Sequence, residues 1–267
     1  MVRAAALWEL DGVGVHAGGR RILAPLTLAL EAGRVYGLIG PNGSGKSTLM
    51  KVLARQLAPS EGAVRFAGEA LGRWRGRAFA RRVAYMPQFT PPTDGMSVRE
   101  LVALGRYPWH GALGRFGATD AAAAEAAILR TGLERLADRA VDGLSGGERQ
   151  RAWLAVMLAQ LKGGTGARCL LLDEPTSALD IAHQMELLAI VRELAADSEG
   201  LTVIVVLHDI NLAARTCDHL VALRAGHMVA HGPAREMMAP KTLKSVYDLP
   251  MGILPHPVSG HPMGFVL

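Results

Sequence analysis

The sequence predicts an α/β fold whose core is a largely parallel β-sheet, and three observations lead to this prediction. Strand-like apolar runs alternate with helix-like segments through most of the chain, which is typical of a parallel sheet with helices on both faces. A glycine-rich loop at residues 40–45 follows one of these strands and precedes a helix. The chain has 267 residues, of which 50% are hydrophobic and 5% aromatic, enough for a sizeable globular core.

The alternation gives each element its place in the chain. The predicted strands span residues 26–30, 35–39, 64–66, 83–86, 169–172, 202–207 and 220–223. The predicted helices span residues 47–57, 97–104, 120–131, 181–196 and 210–215, with short helices near Arg235 and Leu243.

Residues 89–142 interrupt this alternation. Two prolines, Pro91 and Pro92, open the stretch, and its predicted elements are helices. We therefore interpret it as a helical insertion between strands of the main domain. The predicted organisation is a single domain made of three parts. These are a core of residues 1–88 and 143–249, a helical subdomain of residues 89–142 and a tail of residues 250–267 rich in Pro, Gly and His.

Charge and cysteine content restrict the partners and the compartment. The net charge of +5 is compatible with an anionic partner, nucleic acid or a phospholipid surface, and also with an ordinary solvated surface. Cys169 and Cys217 imply no disulfide framework and favour a reducing compartment. Residues 1–30 lack a secretion signal, and apolar runs such as residues 201–207 are shorter than the roughly 20 residues that span a bilayer. The sequence thus predicts a cytoplasmic protein that acts at a membrane only through a partner.

The glycine-rich loop fits the phosphate-binding pattern G-x-x-x-x-G-K-S. Its members are Gly40, Pro41, Asn42, Gly43, Ser44, Gly45, Lys46 and Ser47, followed by Thr48. Glycines allow backbone N–H groups to turn inward, and the N-terminus of the next helix adds positive potential. We expect Lys46 to neutralise the β- and γ-phosphates and the Ser47 hydroxyl to ligate Mg²⁺. The alternative, a chance glycine-rich turn, is disfavoured by the strand before the loop and the helix after it.

An apolar strand at residues 169–172 ends in two acids, Asp173 and Glu174. Such a strand presents its final carboxylates at the edge of the sheet where ligands bind. We expect Asp173 to hold the Mg²⁺ shell and Glu174 to polarise an attacking water. A pair of solvated turn acids before Pro175 is the alternative, and the phosphate-binding loop in the same chain weighs against it.

Residues 144–150, Leu-Ser-Gly-Gly-Glu-Arg-Gln, have two compatible interpretations. Ser145 and Glu148 fit the S-x-x-E pattern of a capping box at the start of a helix. A capped helix that begins with two glycines is also an anion-binding site.

In chain order, the phosphate-binding loop, the signature motif Leu-Ser-Gly-Gly-Glu at residues 144–148 and the acidic strand end at residues 171–176 resemble the ATP-binding-cassette (ABC) ATPases, and the resemblance covers nearly the whole chain. It implies ATP and Mg²⁺ as cofactors, and a mostly parallel core sheet with an antiparallel β subdomain and an inserted helical subdomain. It implies that Gln88, in residues 85–88, contacts Mg²⁺ and water, and that His208 contacts the γ-phosphate. The implied catalytic residues are Lys46, Gln88, Glu174 and His208, and the implied Mg²⁺ ligands are Ser47, Gln88 and Asp173.

The same resemblance implies that two copies of the chain pair head to tail. The ATP on Lys46 of one copy would be closed by Ser145, Gly146, Gly147 and Glu148 of the other. Asp180, in residues 177–180, would lie in the loop that crosses to the partner. A single chain would then lack a complete site.

One departure from the family concerns the adenine base. These ATPases often stack adenine on an aromatic residue near positions 15–18, where this chain has Val15, His16, Ala17 and Gly18. Either stacking comes from His16, or His16 is a plain loop histidine and affinity rests on the phosphates. In the second case discrimination among purine nucleotides is expected to be loose.

A narrower resemblance is to the ATPase subunit of bacterial ferric hydroxamate importers, whose relatives serve other siderophores, haem and cobalamin. The segments that carry it are residues 95–102, 105–111, 178–184 and 250–257. It implies uptake of an iron siderophore, with the chain bound peripherally at the cytoplasmic face of the bacterial inner membrane. The implied partners are a membrane permease that docks on the helical insertion and, indirectly, a periplasmic or lipid-anchored binding protein.

Several alternatives stay open at the level of the sequence. A nucleic-acid-handling ABC ATPase fits the charge, but the chain has neither a long coiled-coil insertion nor a second cassette, so no nucleic-acid partner is predicted. A non-hydrolysing scaffold is disfavoured because all catalytic positions are intact.

Tyr107 and Trp109 either contact the permease or pack within the insertion. His256 and His261 either bind a metal or belong to a solvated loop, which we favour.

Overall fold

The computed structural model describes residues 6–110, 114–197 and 200–267. Gly111, which ends one of the segments resembling hydroxamate importers, lies outside the described residues. The described strands are β1 (Ala6–Ala17), β2 (Arg20–Glu31), β3 (Val35–Ile39), β4 (Glu61–Phe66), β5 (Glu69–Ala70), β6 (Val83–Met86), β7 (Arg168–Leu172), β8 (Leu201–Val206), β9 (His219–Arg224), β10 (His227–Pro233), β11 (Met251–Pro255) and β12 (Pro262–Val266). The described α-helices are α1 (Lys46–Leu53), α2 (Gly76–Ala80), α3 (Val98–Leu104), α4 (Tyr107–His110), α5 (Ala118–Arg130), α6 (Gly146–Leu161), α7 (Ile181–Asp197), α8 (Ile210–Thr216), α9 (Ala234–Met237) and α10 (Pro240–Tyr247).

A six-stranded sheet with the order β10-β9-β3-β8-β7-β6 forms the centre. The pairs from β9 to β6 are all parallel, and only the edge strand β10 runs antiparallel to its neighbour β9. A separate antiparallel sheet has the order β2-β1-β4-β5. The predicted α/β class, with a mostly parallel core sheet and an antiparallel β part, is confirmed.

Strand β7 divides its side chains between the two faces of the central sheet. Cys169 and Leu171 face the antiparallel sheet and α1, whereas Leu170 and Leu172 face α6 and α7, and all four are 0% exposed. Burying one leucine stabilises the fold by about 1.5–3 kcal/mol. The strand is therefore anchored on both sides, and this fixes the position of the two acids that follow it.

Residues 89–142 contain α3, α4 and α5, and two of these helices, α3 and α5, pack on α6. Helix α3 begins with a capping box in which the Ser97 hydroxyl accepts from the Glu100 N–H and the Glu100 carboxylate accepts from the Ser97 N–H. The stretch is helical, as expected for the insertion, whereas its status as a separate subdomain stays a prediction.

Several elements differ from the sequence predictions, among them β1, which was not predicted, and α1 and the tail. Helix α1 ends at Leu53 rather than at residue 57, because Arg55 adopts a left-handed φ of +57° that an α-helix does not continue through. The tail forms a β-hairpin of β11 and β12, which pattern reading did not predict. This hairpin packs on α8 and α10. In the described part of the chain, no helix has the length and hydrophobicity needed to cross a bilayer.

Candidate active site

The carboxyl ends of the parallel strands bring the predicted site residues to one edge of the central sheet. The phosphate-binding loop follows β3, Gln88 follows β6, the acids Asp173 and Glu174 follow β7, and His208 follows β8. In open α/β sheets this edge is where ligands bind. Residues distant in sequence therefore meet at the same place.

The loop of residues 40–45 is shaped around its glycines. Gly40 has φ of +135°, and a Cβ on it would lie 1.9 Å from the carbonyl oxygen of Leu223 in β9, so only glycine fits. The Ser44 hydroxyl is buried, and no hydrogen-bond partner for it is present among the described residues. Helix α1 then begins at Lys46, and the first N–H groups of a helix have no partner within it. A loop with an unsatisfied buried hydroxyl and free N–H groups fits a phosphate chain.

Lys46 is folded onto its own loop. Its Nζ donates to the carbonyl oxygens of Gly40 at 2.8 Å and Pro41 at 2.9 Å, and the side chain is 4% exposed. Burial lowers the pKa of Lys46, and the carboxylates of Glu174 and Asp173 oppose that shift. The ammonium is therefore held at the mouth of the loop by two carbonyl oxygens. Anionic phosphates would compete with these oxygens for the ammonium group.

Asp173 is 2% exposed, and both of its carboxylate oxygens are occupied. Oδ1 accepts from the Ser47 hydroxyl at 3.1 Å, and Oδ2 accepts from the Tyr85 hydroxyl at 3.2 Å. Burial raises the pKa of Asp173, while these two hydrogen bonds lower it in part. Asp173 and Ser47 together present the hard oxygen ligands that Mg²⁺ prefers.

Glu174 adopts a left-handed φ of +53°, which is uncommon for a residue with a side chain. Such strain concentrates at functional sites. Its Oε2 accepts a hydrogen bond from Gln88 Nε2 at 2.6 Å and lies 2.8 Å from His208 Nε2. Three of the predicted catalytic side chains are thus in direct contact.

A pocket of about 480 Å³ unites these residues and is lined by residues 42–48, Ile22, Gln88, Glu174 and His208. Ile22, at the start of β2, was not predicted as a site residue. It lies close to the loop, because its backbone carbonyl oxygen is 3.2 Å from the position that a Cβ on Gly45 would take. The described lining includes none of Ser145, Gly146, Gly147, Glu148 and Asp180.

The signature motif, residues 144–150, lies apart from this pocket, at the start of α6. The Ser145 hydroxyl accepts from the Glu148 N–H at 3.2 Å, and the Glu148 carboxylate accepts from the Ser145 N–H at 2.8 Å, so the predicted capping box is present. Ser145 and Gly146 are exposed. A Cβ on Gly147 would lie 2.3 Å from the His183 ring, which shows how closely α7 approaches this turn.

Asp180 and His183 connect the signature motif to the loop after β7. The Asp180 Oδ1 accepts from the backbone N–H of His183 at 2.9 Å and lies 2.8 Å from its Nδ1. These hydrogen bonds lower the pKa of Asp180, the backbone bond most strongly. Because His183 also packs on Gly147, the loop and the signature turn form one unit. His183 was not predicted as a site residue.

Residues 23–177 match the sequence pattern of the ABC transporter family. This is more than half of the chain. The chain belongs to the ABC transporter family, as the resemblance of its motifs implied.

Curated relatives extend the match to nearly the whole length of this ABC ATPase. It is 42% identical to the hemin import ATP-binding protein of Pseudomonas entomophila over 255 residues, which cover 96% of this chain and 98% of that protein. It is 38% identical to the iron(3+)-hydroxamate import ATP-binding protein of Bacillus subtilis, over 95% of this chain and 92% of that protein.

Solved structures have the same fold as this ABC ATPase. A metal-chelate type ABC transporter in an inward-facing conformation matches with a TM-score of 0.84 and 25% identity, covering 98% of both chains. A dimeric bacterial ABC transporter cassette matches with a TM-score of 0.72 and 26% identity, covering 85% of this chain and 99% of that one.

His16 lies outside the described lining of the pocket. It lies in β1 rather than in a loop, is exposed, and its Nε2 accepts from Arg21 Nε at 3.5 Å. The described lining of the pocket of this ABC ATPase includes the aliphatic Ile22. Both interpretations of His16, base stacking and no role in binding the base, stay predictions.

The two aromatic residues of α4 have different environments. The Trp109 ring lies between the guanidinium groups of Arg81 at 4.8 Å and Arg106 at 4.5 Å, and its Nε1 donates to the Gln160 carbonyl. Tyr107 is 54% exposed. Trp109, which is partly exposed, therefore has packing partners within the protein, whereas the more exposed Tyr107 is available for a partner.

The histidines of the tail belong to the β11–β12 turn. The Nδ1 of His256 accepts from the N–H groups of Val258 and Ser259, and the His256 N–H donates to the His261 carbonyl. Across the described residues, no three His, Cys, Asp or Glu side chains are grouped to hold a metal ion.

Proposed function

We propose that this chain is the ATP-hydrolysing subunit of an ABC importer, powering uptake of an iron(III)–hydroxamate siderophore through a membrane permease. The observation that carries the proposal is the convergence of Lys46, Glu174 and His208 on one pocket in a chain whose relatives are import ATPases. A scaffold that does not hydrolyse ATP would have no need of this constellation.

The residues of the pocket divide the chemistry among them. Lys46 neutralises charge on the β- and γ-phosphates, the backbone N–H groups of the loop donate to their oxygens, and Ser47, Asp173 and Gln88 would hold Mg²⁺. When bound, the cation supplies positive charge to the phosphate oxygens. Glu174 takes a proton from the attacking water, whose oxygen bonds to the γ-phosphorus as the bond to the bridging oxygen breaks and ADP leaves.

Glu174 must change partners before it can act on water. Its Oε2 already accepts from Gln88 Nε2 at 2.6 Å and lies 2.8 Å from His208 Nε2. In the proposed cycle, His208 would turn to the γ-phosphate when ATP binds and Gln88 would leave Oε2, which frees the carboxylate to act on water. The same contacts thus hold the base in reserve until nucleotide is bound.

We propose that two copies complete each other's sites head to tail. Two observations support it: the exposed signature residues Ser145 and Gly146 lie outside the pocket of their own chain, and a structurally similar cassette is dimeric. The helix N-terminus at Ser145 would then face the γ-phosphate held by the phosphate-binding loop (P-loop) of the partner.

Mixing two inactive variants tests this pairing. Lys46→Ala removes the phosphate lysine, and Gly146→Asp puts a negative charge at the signature turn, where a Cβ has only ordinary contacts of 3.6 Å or more. Each variant alone should lose hydrolysis. A mixed dimer pairs the intact loop of one chain with the intact signature of the other, so mixing should restore one site. No recovery on mixing would contradict the pairing.

The permease is proposed to dock on the exposed apolar side chains of residues 89–107. Phe89 is 83% exposed, Leu104 is 55% exposed and Tyr107 is 54% exposed. Exposed apolar groups of this size favour a protein partner. The chain would then be bound peripherally at the cytoplasmic face of the inner membrane, with a siderophore-binding protein on the other side.

Haem is the second candidate substrate, because one relative with 42% identity over 96% of the chain is a hemin import protein. Cobalamin and other siderophores are further alternatives, and the chain is not proposed to handle nucleic acid.

The deciding experiment is ATPase stimulation in proteoliposomes that contain the cognate permease and binding protein. Ferric hydroxamate, haemin and cobalamin are each added in turn. Stimulation by haemin alone would replace the hydroxamate proposal, and no ATP hydrolysis under any condition would overturn the importer ATPase.

A further inference from the structure

Tyr85 of β6 contacts the Asp173 carboxylate from the neighbouring strand. Strands β6 and β7 are parallel, with Tyr85 opposite Leu171 and Met86 opposite Leu172. The Tyr85 ring is partly buried against the core between the two sheets, and its hydroxyl reaches Asp173 Oδ2 at 3.2 Å. The phenol therefore spans from the end of one strand to the acid that follows the next.

The direction of this hydrogen bond is fixed. The Tyr85 hydroxyl is the donor and Asp173 Oδ2 is the acceptor. The Ser47 hydroxyl reaches the other oxygen, Oδ1, at 3.1 Å. Each carboxylate oxygen thus has one hydroxyl donor, and together they determine the orientation of the carboxylate plane.

We propose that Tyr85 is a positioning residue for the divalent cation that accompanies ATP. By holding Oδ2, it fixes Oδ1 beside the Ser47 hydroxyl, at 3.1 Å, next to the phosphate-binding loop. This inference rests on the proposed ATPase site and adds a residue to it. Partners that orient a ligating carboxylate typically matter by about 10–100-fold in metal affinity.

A packing role for Tyr85 predicts a different outcome. The ring alone supplies the core contacts, whereas only the hydroxyl reaches Asp173. Tyr85→Phe therefore removes the proposed role and keeps the packing. Tyr36→Phe is the matched control, since the Tyr36 hydroxyl interacts with the backbone of Glu31 and the residue lies at the end of β3 remote from the P-loop.

The test measures cation binding directly. Mn²⁺ affinity is followed by electron paramagnetic resonance in the presence of saturating ADP, and ADP affinity is measured separately without divalent cation. Tyr85→Phe should weaken Mn²⁺ binding about 10-fold or more, and should leave cation-free ADP affinity and the melting temperature close to wild type. Tyr36→Phe should change none of these. Equal Mn²⁺ affinity in Tyr85→Phe and wild type would overturn the inference.

A double-mutant cycle provides the second readout. In an Asp173→Asn background, Tyr85→Phe should have little further effect on Mn²⁺ affinity, because the two side chains act through one contact. Additive effects would instead mean that Tyr85 acts independently of Asp173 and would overturn the inference. Failure of the proposed function would appear elsewhere, as a wild-type protein that binds no nucleotide at all.

Discussion

His208 Nε2 lies 2.8 Å from Oε2 of Glu174, and Gln88 Nε2 donates to that same oxygen at 2.6 Å. The two partners come from the loops after β8 and β6. These two strands are the neighbours of β7 within the central sheet. A glutamate with a left-handed backbone is therefore oriented by both neighbouring strands. Because the side chain of Glu174 is only 11% exposed, its carboxylate is directed into the pocket rather than into solvent.

Glu174→Gln should abolish turnover while preserving ATP binding. A neutral amide does not act as a base toward water, and general-base catalysis contributes about 10²–10⁴-fold to rates. Phosphate release should fall by that factor, and ATP affinity should stay near wild type. Glu186→Gln is the matched control, since Glu186 forms a half-exposed ion pair with Arg151 on α6. Near-normal hydrolysis by Glu174→Gln would show that Glu174 is not the base.

The motifs predicted the site because their residues are adjacent in sequence. Lys46 and Ser47 follow a glycine loop, and Asp173 and Glu174 follow an apolar strand, so the topology of a parallel sheet brings them together. The capping box at Ser145 was predicted for the same reason, since its hydrogen bonds span only three residues.

The contacts that the sequence missed join residues of different elements. Tyr85 reaches Asp173 only because β6 pairs with β7 in one particular register, and no local pattern specifies that register. Ile22 reaches the pocket through packing of β2 on the P-loop. The C-terminal hairpin was missed because Pro, Gly and His dominate its composition, and its strands are stabilised by pairing with each other and by docking on α8.

Ile22 should provide an apolar contact for the nucleotide base. Ile22→Ala removes aliphatic surface at about 0.8 kcal/mol per buried CH₂, so ATP affinity should fall about 5–30-fold. Since the contact is apolar, GTP should lose a similar factor. Val229→Ala is the control, because Val229 is 37% exposed on β10 and lies outside the described pocket lining. Fluorescent-nucleotide titration measures both, and an unchanged affinity in Ile22→Ala would exclude the contact.

The two buried thiols should make the free energy of unfolding fall as the pH rises in the alkaline range. Burial raises the pKa of Cys169 to about 12, although a hydrogen bond from Trp8 Nε1 to its Sγ opposes the shift, and burial also raises the pKa of Cys217. Both are free thiols, and in the unfolded chain they ionise near their ordinary value of 9.0. Because the folded pKa is raised, the stabilisation is complete below about pH 9 and is lost as the pH rises toward 12.

Urea unfolding at pH 8, 9 and 10 measures this dependence. Above pH 9, each thiol should lower the free energy of unfolding by up to about 1.4 kcal/mol per pH unit. Other groups titrate in the same range, so the diagnostic quantity is the difference between wild type and Cys217→Ala, which should have the shallower decline. Identical slopes in the two proteins would mean that Cys217 is not protected from ionisation by the fold.

Asn211 should hold the C-terminal hairpin onto α8. Its side-chain Nδ2 donates to the Gly264 carbonyl at 3.1 Å, and its Oδ1 accepts from the Gly264 N–H at 2.7 Å, so one amide satisfies both backbone groups of a β12 residue. Asn211→Ala removes both bonds, and losing partly buried hydrogen bonds costs about 1–3 kcal/mol. Amide exchange across residues 251–266 should therefore become about 5–150-fold faster, as measured by hydrogen exchange with mass spectrometry.

The control for this prediction is Ser245→Ala in α10, because the Ser245 hydroxyl bonds only to the Thr242 carbonyl within the same helix. It should leave exchange in the hairpin unchanged.

Asn211 lies three residues after His208, in the first turn of α8, and Asp209 caps this helix. Loosening the hairpin therefore need not move the cap. Hydrolysis by Asn211→Ala should thus stay within about twofold of wild type if the cap alone fixes α8, given that N-caps stabilise a helix by about 1 kcal/mol. A large loss of hydrolysis together with fast hairpin exchange would instead mean that the hairpin, and not the cap, holds the helix behind His208.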